Sequence, residues 1–174
     1  MRAVGGIDLW VEEGGDGDGP TLLLMHGLSG TGDIWAGMRD ILVRKWPGRW
    51  IIPDMRGHGR SAHAPTYGIG SHAADMAALL EGVDNPILAG HSMGGLVGIM
   101  LASGLFGVTP GAVVTAGVKV DWTAEEHAGM AKLVDMPVRW FDSEAEARAR
   151  FILVTGLKGI ARPESDCART SVTE

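Results

Sequence analysis

The chain is almost without cysteine: Cys167 stands alone among 174 residues. One thiol cannot close an internal disulfide, and with no second cysteine near it the ligand spacing of a zinc site is missing. No run of Lys or Arg occurs either, and the formal charge is -6 with a pI near 5.5. That balance leaves no electrostatic footprint for phosphate backbones or anionic lipid surfaces, so nucleic acid is excluded as an expected partner. The apolar runs break off well short of the roughly 20 residues that span a bilayer. The opening stretch "MRAVGGIDLWVEEGG" lacks the apolar centre of a signal peptide. Together these absences predict a cytoplasmic protein with no membrane span. The glycines after the apolar runs match neither GxGxxG nor a phosphate loop with its lysine, so no cofactor and no metal is expected.

What the chain does have is apolar content, 45% hydrophobic against 21% charged residues, enough for one globular domain with a substantial core. "IDLWVEE" (7–13) alternates and "GGDGDGP" (14–20) is too glycine-rich for an element interior, which predicts an opening hairpin. "TLLLMHG" (21–27), "RWIIPDM" (49–55), "NPILAGH" (85–91) and "GAVVTAGVKV" (111–120) read as buried strands. Helical patterns separate them: "IWAGMRDILVRKW" with Asp33 as cap, 68–83 with Ser71 as cap, and Met93 to about Leu105. This β-α-β-α-β-α-β order predicts an α/β fold, a mostly parallel sheet with helices on both faces.

The pattern changes after Asp121. "TAEEHAGMAKLVDM" and "SEAEARARFILVTG" each open with a capping box, Thr123 before Glu126 and Ser143 before Glu146, and no strand lies between them. They read as a helical lid, residues 122–160, over a core of residues 1–121. The stretch 161–174 is polar and aperiodic, and is expected to be frayed.

Chemistry concentrates in "GHSMGG" (90–95), where Gly90 and Gly94 bracket Ser92 at the G-x-S-x-G spacing of a nucleophile elbow. An apolar strand precedes it and a small-residue helix follows, as the motif requires. The sharp turn lifts the Ser92 hydroxyl above the sheet at the positive end of a helix, where a developing oxyanion is favoured. "MHGLSGTG" (25–32) opens a loop whose Leu28 N–H can join Met93 N–H as the second oxyanion donor. His26, beside Gly27 at a strand end, reads as a loop brace rather than a base. In "DMRGHGRS" (54–61) an ion pair of Asp54 with Arg56 or Arg60 holds a glycine turn.

HGLSG, D-x-RGHGRS and GHSMGG, in this order, resemble the α/β-hydrolase fold family in its lid-bearing esterase and lipase branch, over residues 1 to about 160. The resemblance implies a serine hydrolase acting on small-molecule carboxylic esters through an acyl-enzyme on Ser92, with Leu28 and Met93 as backbone donors. Serine at the elbow, where dehalogenases and epoxide hydrolases carry aspartate, points to acyl transfer to water.

In the family the chain returns from the lid, adds two strands, and delivers the triad acid and then the histidine base. Here the sequence stops where that return should begin, so it reads as truncated, and no histidine follows His127. His91 diverges from its neighbour Ser92 in a tight turn, and His58, His63 and His72 read as loop packing or solvent-facing. That leaves His127 and Asp121 as substitutes for base and acid. The alternative expectation is a catalytically weak protein that binds an apolar ligand or self-associates as a homo-oligomer, covering the exposed edge of the last strand. Met130, Leu133, Val134, Met136, Trp140 and Phe151 are the apolar lid residues expected at the pocket mouth.

Overall fold

The computed structural model describes residues 1–134, 137 and 140–172. Five strands form the main sheet in the order β3-β5-β4-β6-β7, where β3 is Val11–Gly14, β4 Gly19–Met25, β5 Gly48–Pro53, β6 Ile87–His91 and β7 Ala112–Ala116. The last four are mutually parallel and only β3 runs against its neighbour. The α/β architecture with a mostly parallel sheet is therefore the one present.

The continuous apolar character of β4 follows from burial on both sides. Leu22 and Leu24 point to one face, packing with Leu42, Trp50 and Ile52 under helix α1 (Ala36–Lys45). Leu23 and Met25 point to the other, in a larger core with Met76, Leu79, Val97 and Leu101. Those residues come from α2 (Ile69–Leu79) and α3 (Met93–Ala102). β4 lies between β5 and β6, and the connection after β4 runs to β5 while the connection after β6 runs the opposite way, to β7. The crevice at the carboxyl ends of β4 and β6 is thus the switch point where open α/β sheets place ligands.

Several local expectations are corrected. The opening hairpin lies one step earlier, between β1 (Arg2–Val4) and β2 (Ile7–Leu9), turned by Gly5 and Gly6 at φ +56° and +88°. The run 7–13 breaks at Trp10, whose N–H donates to Ser61 Oγ (2.8 Å) and whose carbonyl accepts from Asp54 N–H (2.9 Å). That capture by the 54–61 loop hands residues 11–14 to β5 rather than to a hairpin with β4. Asp33 is not a cap: Thr31 caps a 3-10 turn (Gly32–Trp35) that leads into α1, and the Asp33 carboxylate instead binds Arg39 and Arg60. Gly68 stands at the α2 N-cap, and Ser71 lies inside the helix with its hydroxyl 3.0 Å from Thr66 Oγ1.

Both capping boxes after Asp121 lead helices, α4 (Ala124–Val134) and α5 (Glu144–Val154). Thr123 Oγ1 accepts from Glu126 N–H while Glu126 accepts from Thr123 N–H, and Ser143 Oγ accepts from Glu146 N–H. The tail is not frayed up to residue 172. A short helix α6 (Asp166–Arg169) buries Cys167 and Ala168 against Phe151 and Ile152 of α5, with Ile34 of the 3-10 turn packed alongside. Polar composition hid this contact because only two small side chains carry it. Among the described residues no helix is long and apolar enough to cross a membrane.

Candidate active site

The turn from β6 into α3 places Ser92 at φ +50°, ψ -113°, a backbone that a side-chain-bearing residue adopts only under strain. Two contacts hold it there: Ser92 N–H donates to the Ala116 carbonyl at the end of β7 (2.8 Å), and the Ser92 carbonyl accepts from Leu96 N–H (3.1 Å). The flanking glycines are required by space. A methyl group on Gly90 would lie 2.5 Å from the Gly95 nitrogen, and one on Gly94 would lie 2.7 Å from the His26 carbonyl oxygen. The first turn of α3 therefore sits directly on β4 and β6, which carries Ser92 to the rim of the crevice. Met93 N–H belongs to that first turn, whose amides have no intrahelical acceptor.

The loop after β4 is equally close. A methyl group on Gly27 would lie 3.2 Å from Ser92 Cβ and 2.8 Å from His91 Nδ1. Gly30 N–H donates to the Gly27 carbonyl (3.0 Å), closing a turn with Ser29 at φ +61° and Leu28 at its outer corner, side chain exposed. Leu28 thus stands one residue from the Ser92 contact. His26 is a brace, as read from the sequence: it is fully buried, its Nδ1–H donates to the Gly27 carbonyl (2.8 Å), and its Nε2 accepts from Met55 N–H (2.9 Å). Burial pushes its pKa down to about 4 against the opposing pull of the Gly27 carbonyl, so the ring is a neutral link between the ends of β4 and β5.

The 54–61 loop is held by Arg60 rather than Arg56. Asp54, fully buried, accepts from Gly32 N–H (2.7 Å), Arg60 N–H (3.0 Å) and Arg60 Nε (2.7 Å), while the guanidinium lies over the Trp10 ring at 3.3 Å. Arg56 instead forks onto Asp75 of α2. Burial alone would raise the Asp33 carboxyl, but hydrogen bonds from Arg39 and Thr170 and the Arg60 charge hold it below the usual range.

Of the expected site residues, the fold brings Ser92, Met93 and the Leu28 loop together. His91 lies between Gly27 and Gly117, its Nε2 3.2 Å from where a Gly117 methyl group would be. His127 is exposed on α4 beside Trp122, ring centroids 6.0 Å apart, and Asp121 is exposed ahead of the same helix. His63 meets Tyr67 near the surface, and His72 is buried in α2. Among the apolar residues expected at a pocket mouth, Trp140 and Phe151 line a cavity with Val154, whereas Met130 is exposed and absent from its lining. The side chains of Leu133 and Val134, and Met136 itself, lie outside the described residues. Sequence reasoning missed the Ala116 carbonyl, since nothing local announces a partner 24 residues away, and missed His58, which faces that cavity from the RGHG turn.

The profile of the alpha/beta hydrolase family matches residues 22–169, which include the Leu28 loop, the 54–61 loop and the Ser92 turn. The chain belongs to that family. It is 39% identical over 105 residues to the magnesium-chelatase 30 kDa subunit of Rhodobacter capsulatus, covering 58% of this chain and 36% of that one. It is 30% identical over 141 residues to the sn-1-specific diacylglycerol lipase ABHD11 of Mus musculus, covering 78% and 46%. Among solved structures, an alpha/beta hydrolase from Novosphingobium aromaticivorans superimposes with a TM-score of 0.73 at 24% identity, covering 94% of this chain and 58% of that one, a likeness of fold. The chain thus spans less than half the length of these two curated relatives.

Proposed function

We propose that the protein is a serine hydrolase that cleaves carboxylic esters bearing an apolar acyl or alkyl group through an acyl-enzyme on Ser92. The carrying observation is the strained Ser92 backbone at the head of α3, with Gly27 of the β4 loop packed against it. In this reading the Ser92 oxygen attacks the ester carbonyl, the Leu28 and Met93 amides receive the oxyanion, the alcohol leaves, and water releases the acid. A relative that is a lipase supports the ester class. The helices from 122 onward act as the lid over a core of residues 1–121.

Activation of Ser92 falls to His127 as base and Asp121 as acid within this chain, brought over by lid movement. A serine elbow without a working base still retains about 10³ to 10⁴ of acceleration over water from oxyanion donors and binding. The test is intact mass after incubation with a serine-directed phosphonate, with the adduct mapped by peptide mass. A stoichiometric adduct on Ser92, lost in Ser92→Ala and reduced at least tenfold in His127→Ala, supports the reading. No adduct under conditions that label a known serine esterase overturns it.

A second reading, a weakly catalytic protein acting through association, draws on two observations. The outer edge of β7 has no strand partner among the described residues, and Val114 on it is 58% exposed. A relative is a subunit of a chelatase. A row of unpaired amides invites strand pairing with a second copy. Light scattering at micromolar concentration decides it: a dimer supports the reading and a monomer removes it.

A further inference from the structure

The cavity beside the HGLSG loop, about 730 Å³ in volume, is a different place from the nucleophile. One end of the loop, Gly27, packs on Ser92; the other end, Ser29 to Thr31, forms the cavity wall, and among the described residues neither Ser92, Met93 nor Leu28 lines it. Its size suits a small organic ligand.

Its walls differ in chemistry. Trp140, Phe151 and Val154 supply an apolar side, and Trp140 and Val154 leave 82% and 53% of their surface uncovered. Ser29, Thr31, Ser171 and His58, the last with its ring Nδ1–H donating to the Arg56 carbonyl (2.9 Å), supply polar lining. Three charged residues line the cavity: Asp142, Glu144 and Arg150. Glu144 is already bound by Arg148 one helical turn on. Arg150 forms no ion pair among the described residues, so its guanidinium is available to an incoming anion. A planar guanidinium favours a carboxylate, which it meets with two parallel hydrogen bonds.

We propose that this cavity binds a medium-chain carboxylate, its head on Arg150 and its alkyl chain along Trp140, Phe151 and Val154. The site is independent of the chemistry at Ser92 and stands whether or not the ester-hydrolase reading holds. Asp142 opposes the ligand's charge and sets the affinity from the other direction.

Calorimetry with octanoate, hexanoate and octan-1-ol on the full chain tests it. Octanoate binds roughly tenfold more tightly than hexanoate, two methylenes shorter. Arg150→Gln weakens octanoate about tenfold or more while leaving octan-1-ol unchanged. Asp142→Asn strengthens octanoate, and Ser92→Ala leaves it as in the wild type. Circular dichroism checks that each variant is folded. Octanoate that fails to bind at millimolar concentration, that binds no better than octan-1-ol, or that is insensitive to Arg150→Gln overturns the proposal, and dependence on Ser92 would relocate the ligand to the nucleophile.

Discussion

The Ser92 amide donates to the Ala116 carbonyl across 2.8 Å, so the Ser92 turn is fastened to the last rung between β6 and β7. That bond helps hold Ser92 at φ +50°, a conformation that costs on the order of 1 kcal/mol or more for any residue with a Cβ. The two smallest replacements are therefore expected to differ. Ser92→Ala keeps the strain and leaves stability near that of the parent chain, whereas Ser92→Gly relieves it and stabilises by about 1 kcal/mol. Urea midpoints of the three proteins compare them directly, and equal midpoints would mean that the turn is unstrained.

The glycines around the serine are expected to act through space rather than flexibility. A methyl group on Gly94 meets the carbonyls of Met25 and His26, rigid backbone at the end of β4, so Gly94→Ala should push α3 off the sheet. We expect a loss of about 2 to 4 kcal/mol, in the range of overpacked cores, together with loss of any phosphonate labelling. Gly70, near the start of α2 with nothing within 4 Å of where a methyl group would sit, is the control: Gly70→Ala should be neutral or stabilising by up to about 1 kcal/mol. Thermal unfolding of both variants separates a crowded glycine from a merely flexible one.

Removing the buried Asp54 carboxylate is expected to be the most damaging change outside the core. It leaves Gly32 N–H without its acceptor and the Arg60 guanidinium with Asp33 as its remaining carboxylate, at the base of the loop that leads from Leu28 into α1. Breaking a fully buried pair costs about 3 to 5 kcal/mol, and because Arg60 is partly exposed and keeps Asp33 the expectation here is about 2 to 3 kcal/mol. Asp54→Ala should lose that much in urea denaturation, while Arg56→Ala should act separately, through Asp75 on α2.

The sequence carried the alternation of strands and helices because β4, β5 and β6 are buried on both faces and so appear as unbroken apolar runs. It also carried the elbow, since Gly90 and Gly94 stand at a fixed spacing about Ser92: Gly90 is crowded by Gly94 and Gly95 of the same turn, although the carbonyls at the end of β4 that crowd Gly94 are distant in sequence. Features that depend on distant pairing were not legible. Trp10 leaves its strand because residues 54–61 bind its backbone, and α6 packs because Ala168 and Cys167 fit under α5, neither of which has a periodic signature. Asp33 looked like a helix cap because caps are acidic and precede helices, yet two arginines, Arg39 and Arg60, claimed its carboxylate.

The buried histidines set an acid limit on the fold. His72 is almost fully enclosed in α2, its Nδ1 has no hydrogen-bond partner among the described residues, and its ring lies 6.1 Å from that of His58. Burial, then the His58 and Arg56 charges, push its pKa from 6.5 down to about 4, against the pull of Asp75. The unfolded chain therefore takes up a proton between pH 6.5 and 4 that the folded chain refuses, and stability falls as pH drops through that window. At pH 5 the loss from this one group amounts to roughly 1 to 2 kcal/mol relative to pH 8. His26, shifted to about 4 by burial, adds a loss of the same sign. His72→Phe removes the first contribution and keeps the ring volume, so its urea midpoint should gain on the parent's as pH falls from 8 to 5. A gap that stays constant across that range would show that the unfolded chain gains no extra proton at His72.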